Sequence, residues 1–506
     1  MKTKIILKIQ GYLLILISIM MIFPILFSIH YGGNDLKALI ISFVITFFSG
    51  IFLSLFRIKG TLTVKEGFIV VSLGWVFASL FGALPAFIHG VLGYDSFGNY
   101  SNHFFNYIDC IFETMSGFTT TGSTILKNIE IQEKGLLFWR SLTHWLGGMG
   151  IIVLTIAVLP VFGKTSGMLF NAEVPGPIKD RISPKIKDTA IILWMIYCGM
   201  TIIQTILLML GGMDLFNALC HTFGTLATGG FSTLNASVGG YKSIYIEIVI
   251  MVFMYLAGIN FVLHYKFCRG NIKDILKDKE WKFYSLVIVF SILIVTLNMI
   301  FSKYQFKELM KYQTLIECKN DLLTSLRYAS FQVISIITTT GFCTANFNVW
   351  PYFSQMLLVL LMFFGGCAGS TGGGIKQIRI MILLKETINE VKKMAHPKAI
   401  YSVKIGEDTI TSMSVRNIMS MIIIFCLIFT LTTLFLTFMG YDIITSFSAS
   451  IATLSNIGPG LARVGAIENF AFFDPLSKLV LTFSMLLGRL EVFSVIIMVY
   501  SLFSKK

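Results

Sequence analysis

The chain has 506 residues, of which 55% are hydrophobic and only 13% are charged, and its mean hydropathy is +0.79. Soluble domains carry about 25% charged residues, so this composition excludes an ordinary soluble fold and predicts a polytopic membrane protein. The formal net charge of +14 is concentrated between the apolar segments. The positive-inside rule explains this better than binding to nucleic acid, and we expect no nucleic-acid partner.

The N-terminal stretch MKTKIILKIQGYLLILISIMMIFPILF starts with basic residues, as a signal peptide does, but its apolar run is too long and no small-residue cleavage site follows. We therefore expect a first membrane span here. Ten apolar segments are long enough to cross a membrane: 5–30, 36–56, 67–90, 136–162, 188–211, 243–268, 283–302, 351–384, 415–439 and 475–502. The even number and the basic residues at both chain ends predict two cytoplasmic termini.

Four further segments, each between two spans, are typical of a short helix followed by a glycine-containing loop. The loops are TTTG at 119–122, LATG at 226–229, TTTG at 338–341 and SNIG at 455–458. Their spacing of about 110 residues indicates an internal repeat. Because the basic clusters always follow the second span of a unit, the repeats are predicted to be parallel, around an axis along the membrane normal.

The repeat divides the chain into five units. A two-span N-terminal extension covers 1–60, and pore repeats cover 61–165, 166–270, 271–400 and 401–506. The predicted fold is an all-α integral membrane protein with four parallel helix–pore loop–helix repeats in a pseudo-fourfold arrangement. The second span of the third repeat is expected to be broken, because glycines interrupt the segment 351–384.

The four loops are predicted to meet on the central axis, because irregular backbone at membrane depth must line a cavity or pack against protein. Closely spaced carbonyl and hydroxyl oxygens can replace the hydration shell of an alkali cation. A simple connector is the alternative, but it explains one copy better than four evenly spaced copies. The four loops TTTG, LATG, TTTG and SNIG are therefore the candidate ion-binding elements.

The stretch GGCAGSTGGGIK, from Gly365 to Lys376, partly fits a phosphate-binding loop. The fit fails because Ile375 follows Gly374 where that motif needs lysine. We expect an unwound helical segment that obstructs the ion path below the four loops; a packing kink is the alternative. The predicted gate consists of Gly365, Gly366, Gly369, Ser370, Thr371, Gly372, Gly373, Gly374 and Arg489.

Arg489 lies near the middle of the last predicted span, where an arginine costs about 2.5–3.5 kcal/mol unless it faces the protein interior or water. It either pairs with Glu491 or helix carbonyls for structure, or bonds the carbonyls of the Gly365–Gly374 segment and holds it shut. Glu113, in the first short helix, either attracts cations or caps local backbone groups. These alternatives stay open at this point.

Enzymatic chemistry is not indicated, because the sequence shows no catalytic triad, paired carboxylates or zinc-ligand spacing. The eight cysteines include no CxxC pair, which favours scattered buried thiols over a metal site or disulfides. We expect no cofactor, with the transported ion as the only ligand.

Several stretches resemble one family closely: FETMSGFTTTGST, WRSLTHWLGGMGI, AEVPGPIKDRISP, GGCAGSTGGGIK and LGRLEVF. Over essentially its whole length the chain is similar to the TrkH/TrkG group of bacterial potassium-uptake membrane subunits, in the Trk/Ktr/HKT superfamily. The resemblance implies a selectivity filter made of one glycine in each loop with the two residues before it: Thr120, Thr121, Gly122, Ala227, Thr228, Gly229, Thr339, Thr340, Gly341, Asn456, Ile457 and Gly458. A serine in place of the first glycine accompanies sodium permeation in that superfamily, so Gly122 favours potassium.

The resemblance also implies an intramembrane gating loop at Gly365–Gly374 that Arg489 holds shut. It implies a homodimer in the bacterial cytoplasmic membrane, surrounded by lipid, and a cytosolic nucleotide-binding regulatory subunit of the TrkA type. The expected function is potassium uptake through a gated, channel-like filter. The alternative is a proton- or sodium-coupled potassium symporter; the parallel repeats count against a transporter built from inverted repeats.

Overall fold

The computed structural model describes residues 3–56, 63–92, 103–150, 186–302, 322–406 and 408–503. Within this part of the chain the fold is helical, and the only strands are the short antiparallel pair β1 (Lys404–Ile405) and β2 (Asp408–Thr409). The predicted helical class is therefore confirmed. The predicted unit boundaries at 60/61 and 165/166, the stretch AEVPGPIKDRISP and Cys318 lie outside the described residues.

The N-terminal extension is a helical hairpin that packs against the first repeat. Its helices are α1 (Thr3–Met20), α2 (Ile22–Tyr31) and α3 (Leu36–Ser54). Helices α1 and α3 approach closely at Gly11 and Gly50, where an added Cβ would lie 2.7 Å and 2.9 Å from the carbonyl oxygen of the other glycine. Small residues permit such contact between membrane helices.

The rest of the described chain can be divided into four groups of helices, each of which contains a helix of 12 or 16 residues that leads into one of the predicted loops. The first group contains α4 (Val64–Gly82), α5 (Leu84–Val91), α6 (His103–Phe118) and α7 (Lys134–Gly148). The second contains α8 (Ile186–Leu210), α9 (Leu215–Leu226), α10 (Ile244–Ala257), α11 (Phe261–Cys268) and α12 (Ile272–Lys277).

The third group contains α13 (Lys279–Phe301), α14 (Leu322–Ile337), α15 (Tyr352–Leu361) and α16 (Gln377–Ala395). The fourth contains α17 (Ser412–Phe438), α18 (Ile443–Leu454), α19 (Pro475–Arg489) and α20 (Phe493–Phe503). The short helices of the four groups are thus α6, α9, α14 and α18, and each is followed by one of the four predicted loops.

Among the described residues, six helices are long and apolar enough to cross a membrane, and two bent helix pairs raise the number to as many as eight. These eight correspond to eight of the ten predicted spans. The segment 136–162 is described only as far as residue 150, and the segment 351–384 is interrupted between α15 and α16. The count of ten remains a prediction.

Two of the predicted spans are bent, which the hydropathy pattern did not indicate. Helices α10 and α11 meet at 102°, and α19 and α20 meet at 113°. At the first bend the Asn260 side chain accepts a hydrogen bond from Val262 N at 2.9 Å and so starts a new helix. At the second, Glu491 and Val492 have φ of 52° and 64°, outside the helical region. The predicted spans at 243–268 and 475–502 are therefore each a pair of helices that meet at a bend.

The surface exposes many large apolar side chains, and the interior holds buried polar groups beside its apolar core. Large apolar side chains face outward on the long helices, including Phe52, Leu210 and Phe290. The threonines and serines of the four loops are instead fully buried. A polar interior inside an apolar surface is the arrangement that lipid requires of a protein with an internal polar path.

Candidate functional site

The four short helices end in the same backbone turn. In each, a residue in the left-handed region is followed by a backbone N–H that bonds the carbonyl oxygen five residues earlier, as in a Schellman motif. The left-handed residues are Thr120, Thr228, Thr339 and Asn456, with φ of 54°, 54°, 58° and 56°. The four hydrogen bonds are Thr121 N to Ser116 O, Gly229 N to Gly224 O, Thr340 N to Ser335 O and Ile457 N to Ala452 O, at 2.8–2.9 Å.

A second left-handed residue follows two positions later, and it is a glycine in every loop. These glycines are Gly122, Gly230, Gly341 and Gly458, with φ of 80°, 78°, 79° and 98°. The backbone thus shifts the second loop by one residue from the predicted alignment. Gly229 corresponds to Thr121 rather than to Gly122, and Ala227 is the C-cap residue of α9. The sequence left this ambiguous because two glycines are adjacent there.

The four glycines connect the loops in a closed cycle. A Cβ added to Gly122 would lie less than 3.0 Å from the carbonyl oxygen of Gly229 in the next loop. The same holds for Gly230 against Thr340 O, for Gly341 against Ile457 O and for Gly458 against Thr121 O. Each loop therefore presents a carbonyl to the glycine of its neighbour, and the fourth loop returns to the first. No side chain fits at these four glycines without displacing a neighbouring carbonyl.

A cavity opens on one side of this cycle. Its lining includes Gly122, Gly230, Gly341 and Gly458, together with polar residues such as Asn235. The same four glycines that share a backbone conformation thus share one cavity.

The loop hydroxyls are used largely for bracing within the protein. The Thr119 and Thr121 hydroxyls lie 2.8 Å apart, and so do those of Thr338 and Thr340. Asn456 Nδ2 donates to the Thr121 hydroxyl at 2.9 Å and links the fourth loop to the first. These bonds fix the loop backbone, which gives its carbonyls defined positions.

A buried ion pair supports the first two loops from the cavity side. Arg140 and Glu113 are 2.7 Å apart, with only 4% of either side chain exposed. Glu113 also accepts from Ile125 N at 2.8 Å, and Arg140 donates to the Ser232 carbonyl at 3.0 Å. Of the two alternatives for Glu113, the bond to Ile125 N is that of a local backbone cap, and the ion pair with Arg140 is an additional contact.

The Gly365–Gly374 segment forms a closed loop on the other side of the cycle. Gly365 N donates to the Ile375 carbonyl at 2.9 Å, so entry and exit of the segment lie together. Gly373 N donates to the Thr339 hydroxyl at 2.6 Å. A Cβ on Gly373 would meet the Ser455 carbonyl. The segment therefore lies directly against the third and fourth loops.

The second group of helices holds the same segment through the bend between α10 and α11. Cys367 N donates to the Gly258 carbonyl at 2.9 Å, and the Thr371 hydroxyl donates to the Ala257 carbonyl at 3.2 Å. These carbonyls are available because the bend removes the helical donors that would otherwise bond them.

Arg489 joins three parts of the site. Its guanidinium donates to the Thr120 hydroxyl at 3.1 Å, to the Thr371 carbonyl at 2.8 Å and to the carbonyls of Gly147 and Gly148 at 2.6 Å and 2.8 Å. The predicted bond to the Gly365–Gly374 segment is present at Thr371, and so is the alternative bond to helix carbonyls. Glu491 forms its ion pair with Arg379.

A second cavity lies beside this segment and opens around its charged residues. It is lined by Ser370, Gly373, Lys376, Arg489 and Glu491, among others. The described residues hold no group of three or more His, Cys, Asp or Glu side chains that could bind a metal ion. Of the seven described cysteines, Cys110, Cys220, Cys343 and Cys367 are buried, Cys198 is half-buried, and Cys268 and Cys426 are exposed.

Long apolar helices around a buried ring of polar loops define a polytopic membrane protein with an internal polar path. The family model for TrkH, described as a cation transport protein, matches residues 37–505, and the chain belongs to this family. The resemblance drawn from the sequence motifs is therefore confirmed. The family is one of transporters and not of enzymes.

Similar proteins cover the whole chain. The Trk system potassium uptake protein TrkH of Salmonella typhimurium is 37% identical over 97% of both chains. TrkH of Halomonas elongata is 35% identical over 100% of both chains, and TrkG of Escherichia coli is 33% identical over 96% of both. The crystal structure of the potassium transporter TrkH from Vibrio parahaemolyticus matches with a TM-score of 0.83 and 33% identity, over 100% of this chain and 99% of that one.

Proposed function

We propose that this protein takes up potassium across the bacterial cytoplasmic membrane, through a pore on the axis of four pseudo-fourfold repeats. The observation that carries the proposal is the closed cycle of loops, in which each left-handed glycine abuts a carbonyl of the next loop. Fixed carbonyl dipoles are suited to an alkali cation, since they replace water without trapping the ion. The names of the similar proteins supply the choice of potassium.

The proposed filter follows the backbone register. It consists of Thr120–Gly122, Thr228–Gly230, Thr339–Gly341 and Asn456–Gly458. The membrane potential favours entry of a cation by about 2.3 kcal/mol per charge per 100 mV. This potential can drive uptake through a filter without a coupled ion whenever it exceeds the opposing concentration gradient.

The Gly365–Gly374 segment is proposed as the gate and Arg489 as its lock. The segment lies against two of the four loops, and Arg489 bonds both the segment and Thr120 of the filter. A guanidinium at this position also opposes cations electrostatically. Movement of the segment therefore requires Arg489 to release Thr371.

Two partners belong to the proposal. The similar proteins are named as parts of a Trk system, which implies further subunits; we propose a cytosolic nucleotide-binding subunit of the TrkA type. A second copy of this chain completes the proposed homodimer. Both termini are proposed to be cytoplasmic, on the face that carries the basic clusters.

The central experiment is flux into proteoliposomes containing the purified protein. We expect potassium and rubidium to enter and sodium to enter far more slowly, without an imposed proton gradient. Equal sodium and potassium flux would contradict the filter. Strict dependence on a proton or sodium gradient would identify a coupled symporter instead.

A further inference from the structure

A buried carboxylate at the start of α13 bonds the backbone on both sides of the Gly365–Gly374 segment's exposed turn. Glu280 is only 7% exposed. Its Oε1 accepts from Ala368 N at 2.7 Å and from Ile378 N at 3.0 Å. Ala368 lies within the segment and Ile378 lies just beyond it, so one oxygen joins the segment to the helix that follows.

The bond to Ile378 supplies a cap that α16 lacks in its own sequence. The first N–H groups of a helix have no intrahelical partner. The N-cap residue of α16, Lys376, makes no capping bond with its side chain. Glu280 caps the helix from α13 instead, and an anionic acceptor at a helix N-terminus is favourable.

The hydrogen bonds of the Glu280 carboxylate depend on the position of the Gly365–Gly374 segment. A buried charge is costly unless it is paired or hydrogen-bonded. If the segment moved away from α13, Glu280 would lose the Ala368 N–H, and a movement that also carried the start of α16 would break the bond to Ile378. The bond to Ala368 therefore stabilises the closed arrangement, and the bond to Ile378 fixes the helix that follows.

The chain from α11 to the start of α13 contacts the segment at two neighbouring residues near its middle. At the start of α11, Phe261 N donates to the Gly369 carbonyl at 3.0 Å. At the start of α13, Glu280 accepts from Ala368 N and also from Ile378 N beyond the segment. Between them α12 carries Lys273 and Lys277 on an exposed stretch. This exposed stretch therefore connects the two contacts with the segment.

We propose that Glu280 is a positioning residue that holds the Gly365–Gly374 segment closed through the Ala368 and Ile378 N–H groups. This inference deepens the gate of the proposed function and rests on it. Glu280 does not contact the ion path; it acts through the segment. The bend at Gly258 and the side chain of Glu280 then anchor the gate in addition to Thr339 and Arg489.

The test uses the full chain with Cys367 as the only cysteine, in proteoliposomes. Two quantities are measured, the rate of Cys367 alkylation by a maleimide and the rubidium flux. Cys367 is suited to this because it lies in the segment and is only 1% exposed. The variants are Glu280→Ala and Glu280→Gln, with Glu390→Ala as the control on an exposed face of α16.

We expect Glu280→Ala to raise both rates about tenfold, the shift that loss of a charged hydrogen-bond acceptor produces in a two-state equilibrium. Glu280→Gln keeps an acceptor oxygen without the charge, so both rates rise less. Glu390→Ala leaves both rates unchanged. The ratio of potassium to sodium flux also stays unchanged, since the filter is intact.

The outcomes separate this inference from the gate itself, with deletion of residues 369–373 as the comparison. If the deletion raises flux and neither Glu280 variant changes either rate, the role of Glu280 is wrong and the gate stands. If alkylation rises in Glu280→Ala while flux changes in no variant, the anchor stands and the gate is wrong. If Glu280→Ala does not fold, Glu280→Gln at wild-type rates overturns the inference.

Discussion

At the scale of single residues, the site depends on backbone conformations that few side chains tolerate. Thr120, Thr228, Thr339 and Asn456 adopt the left-handed region without being glycine. That conformation costs roughly 1–2 kcal/mol for an ordinary residue, and such strain concentrates at functional sites. The sequence motif marks the positions, and the dihedrals show which residue of each motif carries the turn.

Gly230 provides the sharpest test of the loop register. A Cβ there would displace the Thr340 carbonyl, and its φ of +78° disfavours any side chain. We expect Gly230→Ser to lower the ratio of potassium to sodium flux about tenfold or more, because the carbonyl spacing changes. Gly199→Ala is the matched control, since nothing lies within 4 Å of a Cβ at that position. Unchanged selectivity in Gly230→Ser would place the filter elsewhere.

Arg489 provides the test of the lock. Arg489→Ala removes the bonds to Thr120 and Thr371 together, so we expect the basal rubidium flux to rise about tenfold. Arg489→Lys keeps the charge but loses the planar set of guanidinium donors. Its flux should lie between that of the unchanged protein and that of Arg489→Ala. Flux at or below that of the unchanged protein, from a correctly folded Arg489→Ala variant, would refute the lock.

At the scale of elements, the bends between α10 and α11 and between α19 and α20 shape the site. A straight helix satisfies its own carbonyls, whereas the bend after α10 releases Ala257 and Gly258 to bond the Gly365–Gly374 segment. Hydropathy does not distinguish the two cases, since bending leaves composition unchanged. The sequence indicated a broken span only where several glycines are clustered.

The bend between α10 and α11 can be tested through its cap. Asn260→Ala removes the acceptor of Val262 N, which costs about 1 kcal/mol of stability. Because Phe261 N also holds the Gly369 carbonyl, we expect a severalfold rise in basal flux along with a lower unfolding temperature. Asn260→Ser retains an N-cap oxygen and is expected to behave nearly as the unchanged protein. A loss of stability with no change in flux would show that the bend does not control the gate.

At the scale of the whole molecule, contacts distant in sequence join the units. Lys478 and Asp109 form a buried ion pair at 2.8 Å between the fourth and first groups of helices. The N-terminal extension is attached at Asp35, whose Oδ2 accepts from Leu136 N at 2.8 Å at the start of α7. The extension thus fixes a helix of the first repeat.

Asp35 tests whether the extension stabilises the repeats. Asp35→Ala leaves the buried Leu136 N–H without this acceptor, which costs about 1–3 kcal/mol. We expect a lower unfolding temperature in detergent with unchanged ion selectivity. The control is Glu133→Ala at the same junction, because its 3.1 Å bond with Asn34 is exposed and contributes little. Equal unfolding temperatures for the two variants would show that the extension adds no stability through Asp35.

The sequence by itself determined the helical membrane class and indicated the approximate position of the four loops and of the glycine-rich segment. These follow from composition and spacing, which are local properties. Only the tertiary structure decided that Gly230 and not Gly229 matches the other loop glycines, that two further spans bend, and that Arg489 bonds Thr120, Thr371 and two helix carbonyls. The physical reason is that dihedral angles and contacts between distant residues are set by packing, which a hydropathy pattern does not contain.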